Sequence, residues 1–70
     1  MLSARNQLKG TILSIKTGSV MSEVVVDIGG GNQIVSLISA ASAKRLKLKK
    51  GKEILVVIKS TEVMISTDDE

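Results

Sequence analysis

A chain of 70 residues with no cysteine, histidine, proline or aromatic side chain must build its core entirely from Val, Ile, Leu, Ala and Met. At this length the surface-to-volume ratio leaves a lone domain little stability to spare. Small scaffolds are usually reinforced by disulfides or a structural metal, and both routes are closed without Cys or His. Burial against further copies of the chain is what remains. Apolar residues are 43% of the sequence, more than a single small barrel needs to bury, so a homo-oligomer of a single domain spanning residues 1–70 is expected.

Hydropathy sets a coarse map. Alternation from Leu8 onward marks a first strand of mixed phase, with Leu8, Gly10, Ile12 and Ser14 on one side and Thr11, Leu13 and Ile15 on the other. Lys16-Thr17-Gly18-Ser19 turns the chain. Val20 to Ile28, with Val24-Val25-Val26 inside it, reads as a buried second strand. Gly29-Gly30-Gly31-Asn32 then supplies a hairpin turn that tolerates positive φ. The return strand runs from Gln33 to Ser39, where Ile34-Val35 and Leu37-Ile38 mark burial. From Ser39 to Leu48 the period changes: Ser39 or Ser42 is an N-cap, Ala and Leu favour helix, and Lys44, Arg45, Lys47 and Lys49 suit its C-terminal end. Lys50-Gly51-Lys52 closes this short helix. Glu53 to Lys59 and Val63 to Thr67 read as fourth and fifth strands, and Asp68-Asp69-Glu70 as a frayed acidic tail. The sum is an all-β, five-stranded OB-fold barrel with one short helix between strands 3 and 4.

Several function classes are disfavoured by composition. No apolar run approaches a membrane span and no signal-peptide core is present, so a cytoplasmic location is expected. An enzyme is disfavoured because Glu23, Asp27, Glu53 and Glu62 have no second catalytic residue type beside them. The triple glycine lacks the following helix and the closing Lys of a phosphate-binding loop. The basic stretch Lys44 to Lys52 reads as a solvated face near a helix C-terminus.

Against this background the polar residues at two strand ends stand out. Ser3-Ala4-Arg5-Asn6-Gln7 puts the only arginine outside the basic run at the mouth of the first strand, and Lys59-Ser60 ends the fourth. Together they offer charge, hydroxyl donors and backbone N–H groups, an inventory that suits an oxyanion.

Ser3-Ala4-Arg5-Asn6-Gln7-Leu8-Lys9-Gly10, Glu23-Val24-Val25-Val26-Asp27-Ile28-Gly29-Gly30-Gly31 and Val57-Ile58-Lys59-Ser60 resemble the molbindins, the Mop proteins that bind molybdate. The resemblance spans nearly the whole chain. It implies an OB-like subunit in a hexamer, a trimer of dimers, with molybdate or tungstate held at subunit interfaces. The chain lacks the extra domains of the related regulators and transporter subunits, which leaves storage or buffering. Carried over by residue, the main site would use Ser3, Arg5, Lys59 and Ser60, with backbone N–H groups near Ala4 and around Ser39. A second site near the three-fold axes would draw on Ser19, Val20, Met21 and Ser22, mostly through main-chain groups. Met21 stands where that loop often has a small polar residue.

No cofactor and no metal-cation ligand is needed for such a function. Molybdate is a tetrahedral dianion with oxygens only, so donors alone suffice, and each charge-assisted hydrogen bond contributes roughly 1.5–3 kcal/mol. Protonated phosphate wants an acceptor and is disfavoured. Sulfate must be rejected on size, by leaving buried donors unpaired, whereas tungstate should be accepted. The alternative is an OB-fold nucleic-acid-binding protein, favoured by the net charge of +3. It is weakened by the lack of aromatics on which bases stack, and its binding would collapse steeply with salt.

Overall fold

The computed structural model describes residues 4–67. The main elements are strands β1 (Asn6–Thr17), β2 (Met21–Gly29) and β3 (Asn32–Ser39), helix α1 (Ala40–Arg45) and strand β4 (Glu53–Ile58), followed by a 3₁₀ turn at Ser60–Glu62. All strand pairs are antiparallel, in the order β3-β2-β1-β4. The twelve-residue β1 is the hub, since it pairs with β2 on one side and with β4 on the other.

The mixed phase of β1 has a specific cause. Its register with β2 slips between Ile12 and Ser14, so Leu13 is an extra residue that bulges from the ladder. Ile12, almost wholly buried, and half-buried Ile15 therefore serve the same core although they are three positions apart. Side chains that face this core from the other strands are Val24, Val26 and Ile28 on β2, Ile38 on β3 and Ile54 and Val56 on β4, with Leu48 below α1. Gly10 allows the sheet to coil tightly. A Cβ there would run into Val26 Cγ1 and come within 2.9 Å of the Asp27 carbonyl oxygen.

Ser39 caps α1 as expected: its Oγ accepts from the Ser42 N–H at 3.0 Å. The helix ends after six residues, before the expected Leu48, because Lys47 takes a left-handed φ of 55°. Leu48 N–H then reaches the Ala43 carbonyl and Lys47 N–H the Lys44 carbonyl, a Schellman ending with lysine where glycine is usual. Lys52 folds back to donate from Nζ to the Leu46 carbonyl at 2.8 Å.

Two expectations are corrected. Val35 and Leu37 are not buried; they alternate with Ile34, Ser36 and Ile38 and face away from the core. Val63–Thr67 is not a strand in this chain: after the 3₁₀ turn it is exposed, with Met64 and Ile65 at 92% and 86%. Among the described residues the sheet has four strands, and β3 and β4 are its edges. Alternation identifies a segment fit to be a strand but not the edge it pairs with. The acidic tail Asp68-Asp69-Glu70 lies outside the described residues.

Two substitutions test these contacts. Gly10→Ala should lower stability to urea by about 1–3 kcal/mol through overpacking against β2. Lys47→Gly should raise it by about 1 kcal/mol by relieving the left-handed lysine, measured by equilibrium unfolding of each variant beside wild type.

Candidate functional site

Strand register decides which candidate residues meet. The last registered pair of β1 and β4 is Asn6↔Ile58. Arg5 is the next residue outward on one strand and Lys59 on the other, with Ala4 and Ser60 one step beyond. Residues at opposite ends of the sequence are thus gathered at one end of the sheet. Arg5, Lys59 and Ser60 are exposed and Ala4 is half-buried. The chain's approach to β1 is fixed by Gln7, whose Nε2 donates to the Ala4 carbonyl at 2.9 Å. Its exit from β4 is fixed by the 3₁₀ turn, in which the Glu62 N–H donates to the Lys59 carbonyl at 2.9 Å. Ser3 lies outside the described residues.

Chemically this end offers a planar guanidinium fork, an ammonium and a hydroxyl. Arg5 suits bidentate recognition of an oxyanion, and Lys59 adds a mobile point charge. The nearest acidic residue along the chain is Glu62, held on the adjoining turn.

Ser39 falls elsewhere. It is registered with Met21 at the far end of β2, and the Ala40 N–H donates to the Val20 carbonyl at 2.7 Å. Thr17 is registered with Ser22 at the same end of the sheet. From Asn6 to Thr17 the strand covers roughly 35 Å at about 3.3 Å per residue. Within one chain Ser39 therefore belongs with the loop that carries the second candidate site, not with Arg5 and Lys59. Its Oγ also donates to Ser42 Oγ at 2.8 Å. Along that loop Ser19, Val20 and Met21 are exposed, whereas Ser22 is fully buried and donates from Oγ to Thr17 Oγ1 at 3.3 Å. The Gly18 N–H closes the loop on the Met21 carbonyl at 2.7 Å.

A surface cavity of about 610 Å³ is in neither place. It lies beside Lys9 and Thr11 and is flanked by the carboxylates of Asp27 and Glu53, which are registered on either side of Thr11. That lining has the wrong sign for a dianion. Sequence reasoning did not find this cavity, because its two carboxylates are brought together only by the pairing of three strands. Among the described residues no group of three or more acidic side chains is placed to hold a metal cation.

Comparison with known proteins gives a consistent picture. The TOBE domain family matches residues 2–65. Molybdenum-pterin-binding protein 1 of Clostridium pasteurianum is 53% identical over 64 residues, covering 91% of this chain and 94% of the relative. The structure of MopII from the same organism superposes with a TM-score of 0.89 at 51% identity, covering 96% of this chain and all of that one. A molybdate binding protein from Sporomusa ovata gives the same TM-score at 31% identity, covering 96% of this chain and 98% of its own. With the match extending from before Arg5 to beyond Lys59 and the fold preserved across it, the chain belongs to the TOBE domain family and, within it, to the molbindin or Mop group.

Proposed function

We propose that the protein binds molybdate, or the near-isosteric tungstate, at interfaces between copies of itself and serves as a cytoplasmic store or buffer for the oxyanion rather than as an enzyme. The observation that carries this reading is the meeting of Arg5 and Lys59 at one end of the sheet, in a chain whose relatives include molybdate-binding proteins. The main site as proposed takes Ser3, Ala4, Arg5, Lys59 and Ser60 from one copy and the backbone around Ser39 from another. The second takes Ser19, Val20, Met21 and Ser22.

Open edges support an assembly. Val63-Met64-Ile65 is an exposed apolar run of strand-forming residues, and it follows a sheet whose β3 and β4 edges are unpaired in the chain. A groove of about 190 Å³ is lined from both edge strands by residues including Ser36, Ile38, Val56 and Val57. A strand laid there by a second copy would complete a five-stranded barrel and remove both edges. The proposed assembly is a hexamer, a trimer of dimers. Nucleic acid is not the proposed partner, since stacking needs aromatic side chains and the sequence has none.

Arg5→Ala and Arg5→Lys should each weaken molybdate binding by about tenfold, or about 1.4 kcal/mol, because neither alanine nor lysine replaces the guanidinium fork. Isothermal titration with assembly checked by sedimentation is the measurement. Unchanged affinity in both variants would remove Arg5 from the site.

Ligand-induced stabilisation tests the reading as a whole. Molybdate and tungstate should raise the melting temperature of the wild type and sulfate at equal concentration much less, since a ligand that binds only the folded assembly stabilises it by mass action. Lys59→Ala should reduce the rise. Equal stabilisation by all three anions, or none by any, would leave only a generic basic surface.

A further inference from the structure

The connection from α1 to β4 carries charge that local structure does not use. Six cations, Lys44, Arg45, Lys47, Lys49, Lys50 and Lys52, fall between Ala40 and Lys52, and the sequence has no carboxylate between Asp27 and Glu53. The helix C-terminus accounts for some of them. Lys44 and Arg45 occupy its last turn, and Lys52 donates to its Leu46 and Lys47 carbonyls. Lys49 and Lys50 have no such role. They are exposed in a tight turn that the Lys52 N–H closes on the Lys49 carbonyl at 3.1 Å, with Gly51 at a φ of 88° that glycine adopts without strain. Two like charges are thus fixed side by side, at some electrostatic cost.

We infer that this basic crown guides the oxyanion: it raises the rate at which a dianion reaches the binding site without touching it once bound. The inference rests on the molybdate-binding reading above. Both proposed sites draw on this end of the subunit, one through Ser39 and the other through Ser19 to Ser22. Helix α1 starts at Ser39, and six residues at 1.5 Å each put its basic end about 9 Å from that cap. This is close to one Debye length at about 0.1 M salt, so the crown's field is partly screened at Ser39 there and reaches it more fully as salt is lowered. A local excess of positive potential concentrates a small dianion and raises its association rate, and the gain fades as salt rises.

The test compares two variants of the full chain that each lower the formal +3 by two units. Lys49→Gln with Lys50→Gln strips the crown; Lys9→Glu makes the same two-unit change on β1 at a residue registered with Leu55, away from the Thr17 and Ser22 end. The chain has no aromatic residue to report binding optically. Affinity is therefore read by calorimetry with sodium molybdate, and release by chasing radiolabelled molybdate with excess unlabelled ion. At roughly 20 mM salt the crown variant should bind about fivefold more weakly than the β1 variant with an unchanged release rate, and the gap should close near 500 mM. Equal affinities of the two variants at low salt, or a loss carried by faster release, would overturn the guide. If the wild type binds no molybdate at all, the functional reading fails first and the guide with it, a result distinct from equal affinities in variants that do bind.

Discussion

Everything in this chain's fold depends on β1 pairing along both of its edges. Twelve residues long, it holds β2 through one ladder and β4 through the other, and its backbone must coil to keep both ladders over one small core. The bulge at Leu13 and the missing side chain at Gly10 make the coil possible, the first by shifting the inward phase and the second by letting β2 approach closely. The same strand sets the functional geometry. Its beginning gathers Arg5 with Lys59, and its far end lies with the Met21 loop and Ser39, so its length separates the two groups of candidate donors.

The core that β1 organises is small. Ile12, Val24 and Val26 are its buried centre, and Ala43 is the buried residue of α1. Large aliphatic side chains remain exposed on β3, on β4 and in Val63 to Ile65. Exposed aliphatic side chains in such number are what a docked partner would cover. The apolar excess noticed in the composition is therefore spread over the surface: it lies on the edge strands and the segment that follows β4, and also on β1, at Val20 and Met21 and at the end of α1.

What the sequence revealed and what it concealed divide along the range of the interactions. The first four strands, the glycine hairpin and the Ser39 cap are local patterns of period, turn chemistry and capping, and each was legible within a few residues of its place. The helix end was less so, because Lys47 adopts a backbone conformation that its residue type disfavours and only the Schellman hydrogen bonds explain. The fifth strand was misplaced because strand-forming residues do not name their partner edge. Of the candidate site, the polar ends of two strands marked Arg5 and Lys59, but their lying at one end of the sheet is set by the pairing of β1 with β4. Nor was the remoteness of Ser39 legible, since it is set by the register of β2 with β3 and by the length of β1.

That remoteness gives the proposed site its physical logic. Donors at opposite ends of a subunit reach one ion only when two subunits meet, so binding and association become linked quantities: whatever the ion contributes to holding the copies together, the copies contribute to holding the ion. A chain without cysteine or histidine has few other means of joining stability to function. The arrangement also serves selectivity. A cavity bounded by separate rigid sheets cannot shrink around a smaller ion without disturbing the apolar contacts that hold the sheets together. A smaller dianion must then leave donors unpaired, and in a buried interface an unpaired donor costs about 1–3 kcal/mol. In the proposed assembly, size discrimination between ions of equal charge and shape would thus follow from the stiffness of the interface rather than from any single residue.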